Sequence, residues 1–263
     1  MNRALFAVVC FVLAFAAPST GKDVLEGTDV KEGDFKYQVL LYYPNRHPIC
    51  GGAILNEWYI LSSAQATHQY VEKLNKLVIY LGTTNTRNVQ HKRLISEIKI
   101  PKEFVFGEIH HDVALVRVRR KIEFSANVQP IALPTNGDVF DGILLSSGFD
   151  FALKPVADHF PIVYKDDQLH YHKTSMIPMD ECKNLYGKTF YRDRPPYNIT
   201  DIICTVNNQG YSFNPGCEGN PLVANNILYG LATTRGPEKL PNLYTKVFSH
   251  KKWIEDNSAV AKA

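Results

Sequence analysis

Short apolar runs bounded by Gly, Pro, Asn or charged residues recur along this chain. Tyr37–Leu41, Ile49–Leu55, Trp58–Ser62, Leu77–Gly82, Val113–Val118 and Gly142–Ser147 read as strands. Leu222-Val223, Ile227–Thr233 and Tyr244–Val247 continue the series. Strands at short intervals, with no long helical period between them, predict an all-β sandwich or barrel. Only His250 to Asn257 reads as a helix, and there is no internal repeat, coiled coil or low-complexity tract. The longest apolar run lies at the start, from Ala4 to Ala17 behind Arg3. It is shorter than the roughly 20 residues a membrane span needs. Its small residues at Ala14 and Ala16 and the following Pro18-Ser-Thr-Gly21 predict a signal peptide over 1–17, cut between 16 and 21.

Export changes how the cysteines read. Cys10 leaves with the leader, and Cys50, Cys182, Cys204 and Cys217 remain. An even number in an oxidising compartment points to two bridges, with three connectivities open. Asn198-Ile-Thr200 becomes a glycosylation sequon in a Pro-rich loop. With 263 residues, 45% hydrophobic and 21% charged, the chain has ample material for one large domain or two joined small ones. A net charge of +3 is too mild to argue for nucleic acid.

Chemistry enters with Gly210-Tyr-Ser-Phe-Asn-Pro-Gly-Cys-Glu-Gly-Asn-Pro-Leu-Val223. It aligns without a gap on Gly-Lys-Ser-x-Cys-x-Gly-Asp-Ser-Gly-Gly-Pro-Leu-Val, and so resembles the nucleophile loop of the trypsin-like serine proteases. Further landmarks follow the order of that family. They are Val24-Leu-Glu-Gly27 at the mature N-terminus, Cys50-Gly-Gly-Ala-Ile-Leu55, Val128–Pro134 between the barrels, Ser147-Gly-Phe149, and Asn242–Val247 before the last helix. The resemblance covers essentially the whole mature chain, 24–257, leaves a short tail at 258–263, and is nearest to secreted invertebrate members. It implies two six-stranded antiparallel β-barrels with a short C-terminal α-helix and a site in the cleft between them.

Placed on that pattern, the site lacks its chemistry. Glu218 stands at the nucleophile position and Cys217 at that of the preceding Asp, while Asn214 and Asn220 replace a Cys and a Gly. Gln65 in Leu61-Ser-Ser-Ala-Gln65-Ala66 stands where the catalytic His belongs, and an amide cannot take up and return a proton near neutral pH. The third member is retained as Asp112 in Asp112-Val-Ala-Leu115. It reads as a buried carboxylate satisfied by backbone donors rather than a working part of a triad. Thr233, Thr234 and Arg235 occupy the substrate strand where relatives carry Ser-Trp-Gly, with Arg235 placed to plug the primary pocket. Cleavage before Val24 would follow Asp23 rather than a basic residue, and the buried carboxylate that would receive the new terminus is replaced by Cys217.

The resemblance also pairs Cys182 with Cys204. It leaves Cys50 and Cys217 without their usual partners, and a Cys50–Cys217 bridge is the expectation. Other groups read as surface. His68, His110 and His111 are expected exposed, His170 and His172 form a solvated pair on a strand edge, and no metal site or cofactor is expected. Arg117-Val-Arg-Arg-Lys121 could hold a sulfated glycan, but as the end of a strand it reads as charged surface. The resulting expectation is a secreted, catalytically inactive homologue of serine proteases that binds a protease, inhibitor or immune component. Two alternatives stand beside it: a displaced-site hydrolase using Cys217 as a thiol nucleophile, and a secreted glycan-binding module.

Overall fold

A computed structural model describes residues 30–44, 47–137, 140–149, 152–153, 162–163, 167–187, 199–206, 218–234 and 240–259. The leader, Val24, Asn198, Cys217 and Arg235 lie outside the described residues. The first half forms β1 (Gln38–Tyr43), β2 (His47–Ile54), β3 (Tyr59–Ser62), a one-turn α1 (Ala64–Thr67), β4 (Val78–Leu81), β5 (His91–Lys99) and β6 (Ala114–Val118). These six strands close into an antiparallel barrel in the order β1-β2-β3-β6-β5-β4. Alternation along each strand fills it: Val39 and Leu41 of β1, Ile54, Ile60, Ile79, Leu81, Val116 and Val118 form its interior. Leu40, on the other face of β1, is also buried, against Phe149 and Leu169. That second contact makes β1 a near-continuous apolar run rather than an alternating one.

The second half contains β7 (Leu144–Phe149), β8 (Ala152–Leu153), β9 (Ile162–Val163), β10 (Leu169–Thr174), α2 (Met179–Gly187), β11 (Ile202–Thr205), β12 (Pro221–Ala224), β13 (Ile227–Thr234), β14 (Asn242–Lys246) and α3 (Lys251–Ser258). Six of these strands form one curled sheet, β10-β7-β12-β13-β14-β11, and β8 pairs with β9. A single bridge between Met176 and Thr205 ties its two edges together. The sheet comes close to the expected second barrel without closing: the chain leaves this bridge and turns into α2. Asn225 and Asn226, both at positive φ, make the two-residue turn between β12 and β13. Leu61, Leu115, Val223, Leu231, Val247 and Ile254 of α3 pack in the seam between the halves.

Several elements go beyond the sequence expectation. β5 carries His91-Lys-Arg at its exposed start and a register shift at Ile95/Glu97, so it shows little alternation. β10 and β11 are short, and α2 is a helix where none was expected outside the C-terminus. No helix among the described residues is long and apolar enough to cross a membrane.

Candidate functional site

β3 delivers Ser62 and Ser63 to the seam, and α1 begins at once. Ser63 caps that turn by accepting from the Ala66 N–H at 3.3 Å. The same hydroxyl donates to Asp112 Oδ1 at 2.7 Å. Asp112 lies just ahead of β6 with no exposed surface. Its Oδ1 also accepts the Gln65 backbone N–H at 2.7 Å, and its Oδ2 accepts the Thr233 hydroxyl of β13 at 2.6 Å. The carboxylate is therefore satisfied, by two side-chain hydroxyls and one backbone donor rather than by backbone alone. Burial pushes its pKa up to about 6, against the three donors that pull it down; the nearby Glu218 adds a further upward push.

Gln65 does not face that carboxylate with its side chain. Its amide nitrogen donates to the Glu108 carbonyl, and its Oε1 accepts the Gly107 N–H at 3.1 Å. Both ends of the carboxamide are thus committed to the loop ahead of β6. In that loop Phe106 lies 4.3 Å, centroid to centroid, from the His68 ring, and His68 Nδ1 is 2.9 Å from the Gln65 carbonyl. His68 is half-buried under this contact rather than exposed.

Glu218 opens the described part of the expected nucleophile loop, half-buried, with its carbonyl accepting from the Gly51 N–H at 3.0 Å. Gly219 follows at φ +78°, and its N–H donates to the Ala232 carbonyl at 2.7 Å. A Cβ there would stand 2.5 Å from the Gly51 carbonyl oxygen and 2.8 Å from Ser62 Oγ, so no side chain fits. The Asn220 side chain then fills the notch between Gly51 and Gly148, whose missing Cβ atoms leave the room it occupies. Glu218, Asp112 and Gln65 lie along one seam, with the Gln65 N–H on Asp112 and Glu218 near enough to act on its charge. The backbone around them is held by tight packing.

The cysteines divide. Cys182 and Cys204 are bridged, joining α2 to β11. The expected Cys50–Cys217 bridge is not formed, because Cys50 is a buried free thiol. Alternation along β2 turns Gly51 toward residues 218–220 and therefore turns Cys50 into the first barrel, 3.3 Å from Ser62 Oγ. Burial pushes that thiol up to about 12, which makes it a poor nucleophile.

Several groups expected at the surface are engaged. His172 of β10 is buried, and burial pulls its pKa down to about 4, so His170 and His172 are not a solvated pair. His110 and His111 are half-buried. His110 Nδ1 stands 2.8 Å from Asp201 Oδ1, and His111, at φ +55°, brings its N–H to 3.4 Å from Oδ2. His250, at the entry to α3, is buried with its pKa pulled down to about 4, and its Nε2 is 3.8 Å from Asp201 Oδ2. Nothing local in the sequence marks Asp201 or His250, which come together only through the tertiary fold. Ser63 did leave a signal: a hydroxyl appears where the family pattern has Ala, two residues before the missing His. Along the basic edge Arg117 lies over the Trp58 ring at 5.3 Å, Arg119 Nε donates to the Ile95 carbonyl and Lys121 is 2.7 Å from Glu57, while Arg119, Arg120 and Lys121 remain exposed.

Comparison with known proteins fits this geometry. A family model described as Trypsin matches residues 24–254. Chymotrypsin-2 of Vespa crabro is 26% identical, the match covering 89% of this chain and 99% of that protein. Snake venom serine protease homolog 2A of Craspedocephalus gramineus is 24% identical, over 96% of this chain and 94% of its own. Kallikrein 1-related peptidase b26 of Mus musculus is 26% identical, over 92% of each. Near-equal likeness to an insect, a snake and a mouse protein does not single out invertebrate members.

Proposed function

The chain belongs to the trypsin family, and from the state of its site we propose that it is a secreted pseudoprotease that acts by binding rather than by cutting. One observation carries this reading. The position of the general base holds Gln65, whose carboxamide is bonded at both ends to the 107–108 loop and turned away from Asp112. Acyl transfer of this kind needs a hydroxyl, a base within reach and a carboxylate orienting the base. Here the first two are Glu218 and Gln65, and the third accepts nothing from the Gln65 carboxamide. Its lone pairs are taken up by Ser63, Thr233 and the Gln65 backbone. The snake venom relative cited above is named a serine protease homolog, which accords with this reading.

On this reading the leader over 1–17 directs export, Asn198 carries a glycan, and residues 24–257 form the working domain. The partner is a protease, an inhibitor or an immune component engaged through the protein's surface, in a cascade or feeding process. The glycan-binding alternative rests on the exposed Arg119, Arg120 and Lys121, of which Arg119 and Lys121 also contact groups of the fold.

The test is turnover by the secreted full-length protein of a peptide library and a serine-reactive phosphonate probe, beside an active chymotrypsin. No labelling and no cleavage above buffer is the expected result. Cleavage that co-purifies with the chain and disappears on replacing Glu218 or Asp112 would overturn the proposal. Cleavage lost only on replacing Cys217 would establish the thiol hydrolase instead.

A further inference from the structure

Away from the triad positions, three chain segments bring two imidazoles and a carboxylate together. His111 comes from the loop ahead of β6, Asp201 ends the turn Ile199–Asp201 before β11, and His250 ends the turn Val247–His250 before α3. Their ligand atoms all lie within 4.8 Å of one another. His250 is only 6% exposed, and its Nε2 has no hydrogen-bond partner among the described residues while lying 3.8 Å from Asp201 Oδ2. A buried ring nitrogen aimed at a carboxylate oxygen without bonding it requires an explanation, since buried polar atoms are normally paired. We propose that His111, Asp201 and His250 form a binding site for a divalent zinc-type ion.

The donor set decides the class of ion. Two imidazole nitrogens and one carboxylate oxygen suit zinc and its borderline neighbours, whereas calcium and magnesium take oxygen ligands. Ligands about 2.0–2.1 Å from a tetrahedral ion stand about 3.3 Å apart. The 3.8 Å between His250 Nε2 and Asp201 Oδ2 needs only small rotamer shifts to reach that. Three protein ligands leave a fourth position for water. His110, holding Asp201 Oδ1 at 2.8 Å, orients the carboxylate so that Oδ2 faces the imidazoles, an outer-shell role of the kind that tunes metal sites. A bound ion would staple the loop that carries Gly107 and Glu108, and through them Gln65, to β11 and α3 of the second sheet.

The experiment titrates the full-length protein with zinc in a non-chelating buffer by calorimetry. It repeats the titration with cobalt(II), read by its visible ligand-field bands. One equivalent should bind, with intense tetrahedral bands. His250→Ala should lower zinc affinity by about a hundredfold or more, and His110→Phe by about tenfold, with folding checked by near-ultraviolet circular dichroism. The absence of saturable one-equivalent binding to the wild-type protein would overturn the proposal, whatever the variants do. So would weak octahedral cobalt bands, or full affinity in a folded His250→Ala protein.

Discussion

Replacing Ser63 by alanine removes two hydrogen bonds from one buried hydroxyl. It deletes the 2.7 Å donor to Asp112 Oδ1 and the 3.3 Å cap on the Ala66 N–H. A hydrogen bond to a charged acceptor contributes about 1.5–3 kcal/mol. A cap contributes about 1 kcal/mol, and this long one sits at the weak end. The two share an atom, so we expect a combined loss of about 2–3 kcal/mol at pH 7, roughly 5–10 °C in Tm for a chain of this size. The charge on Asp112 sets most of that figure. At pH 5, below its folded pKa of about 6, the carboxyl is protonated and the loss should fall by about half. In an Asp112→Asn background the amide oxygen still accepts a neutral hydrogen bond, so the loss should fall to about 1–2 kcal/mol. Urea unfolding of the four proteins of this cycle at both pH values measures each quantity. A loss under about 0.5 kcal/mol at pH 7 would refute the reasoning. Equal losses in the two backgrounds would refute it as well.

Asp112 also predicts a pH dependence. Its folded pKa lies above the unfolded value near 3.9, so the folded protein holds the extra proton between about pH 4 and 6 and loses stability as pH rises through that window. His250, with its folded pKa pulled down, acts oppositely in the same range. The readout is therefore the difference between wild type and Asp112→Asn, which should change by about 2 kcal/mol from pH 4 to pH 7; a flat difference would contradict the assignment. Gly219→Ala should destabilise by about 3 kcal/mol or more, since it combines positive φ with a clash against the Gly51 carbonyl; near-wild-type thermal melting would show the turn to be looser. Cys182 and Cys204 are 22 residues apart in sequence, and replacing both by serine should cost about 3 kcal/mol, read as a shifted urea midpoint. The Cys50 thiol should resist alkylation in native buffer and react only on unfolding, which peptide mass spectrometry resolves site by site; rapid native labelling would place it at the surface.

The residue types at the three triad positions are a property of the chain alone. Gln65 and Glu218 cannot act as base and hydroxyl in any fold, because an amide does not titrate and a carboxylate offers no nucleophilic hydroxyl proton to remove. Their place in the family order, the strand-rich pattern and the pairing of Cys182 with Cys204 were likewise legible, since each is a local run or a landmark at its expected position. What surrounds those positions was decided by packing. Asp112 finds Ser63 just after β3 and Thr233 on β13, and only the packing of the second sheet against the first barrel brings both hydroxyls within 2.7 Å. Cys50 was misread because its neighbour Gly51, not Cys50 itself, faces residues 218–220. A shift of one residue along a strand exchanges core for seam, and a cysteine count carries no register. His111, Asp201 and His250 are separated by 90 and 49 positions. No sequence pattern joins residues so far apart, and their meeting follows from the way α3 folds back across the seam between the two sheets.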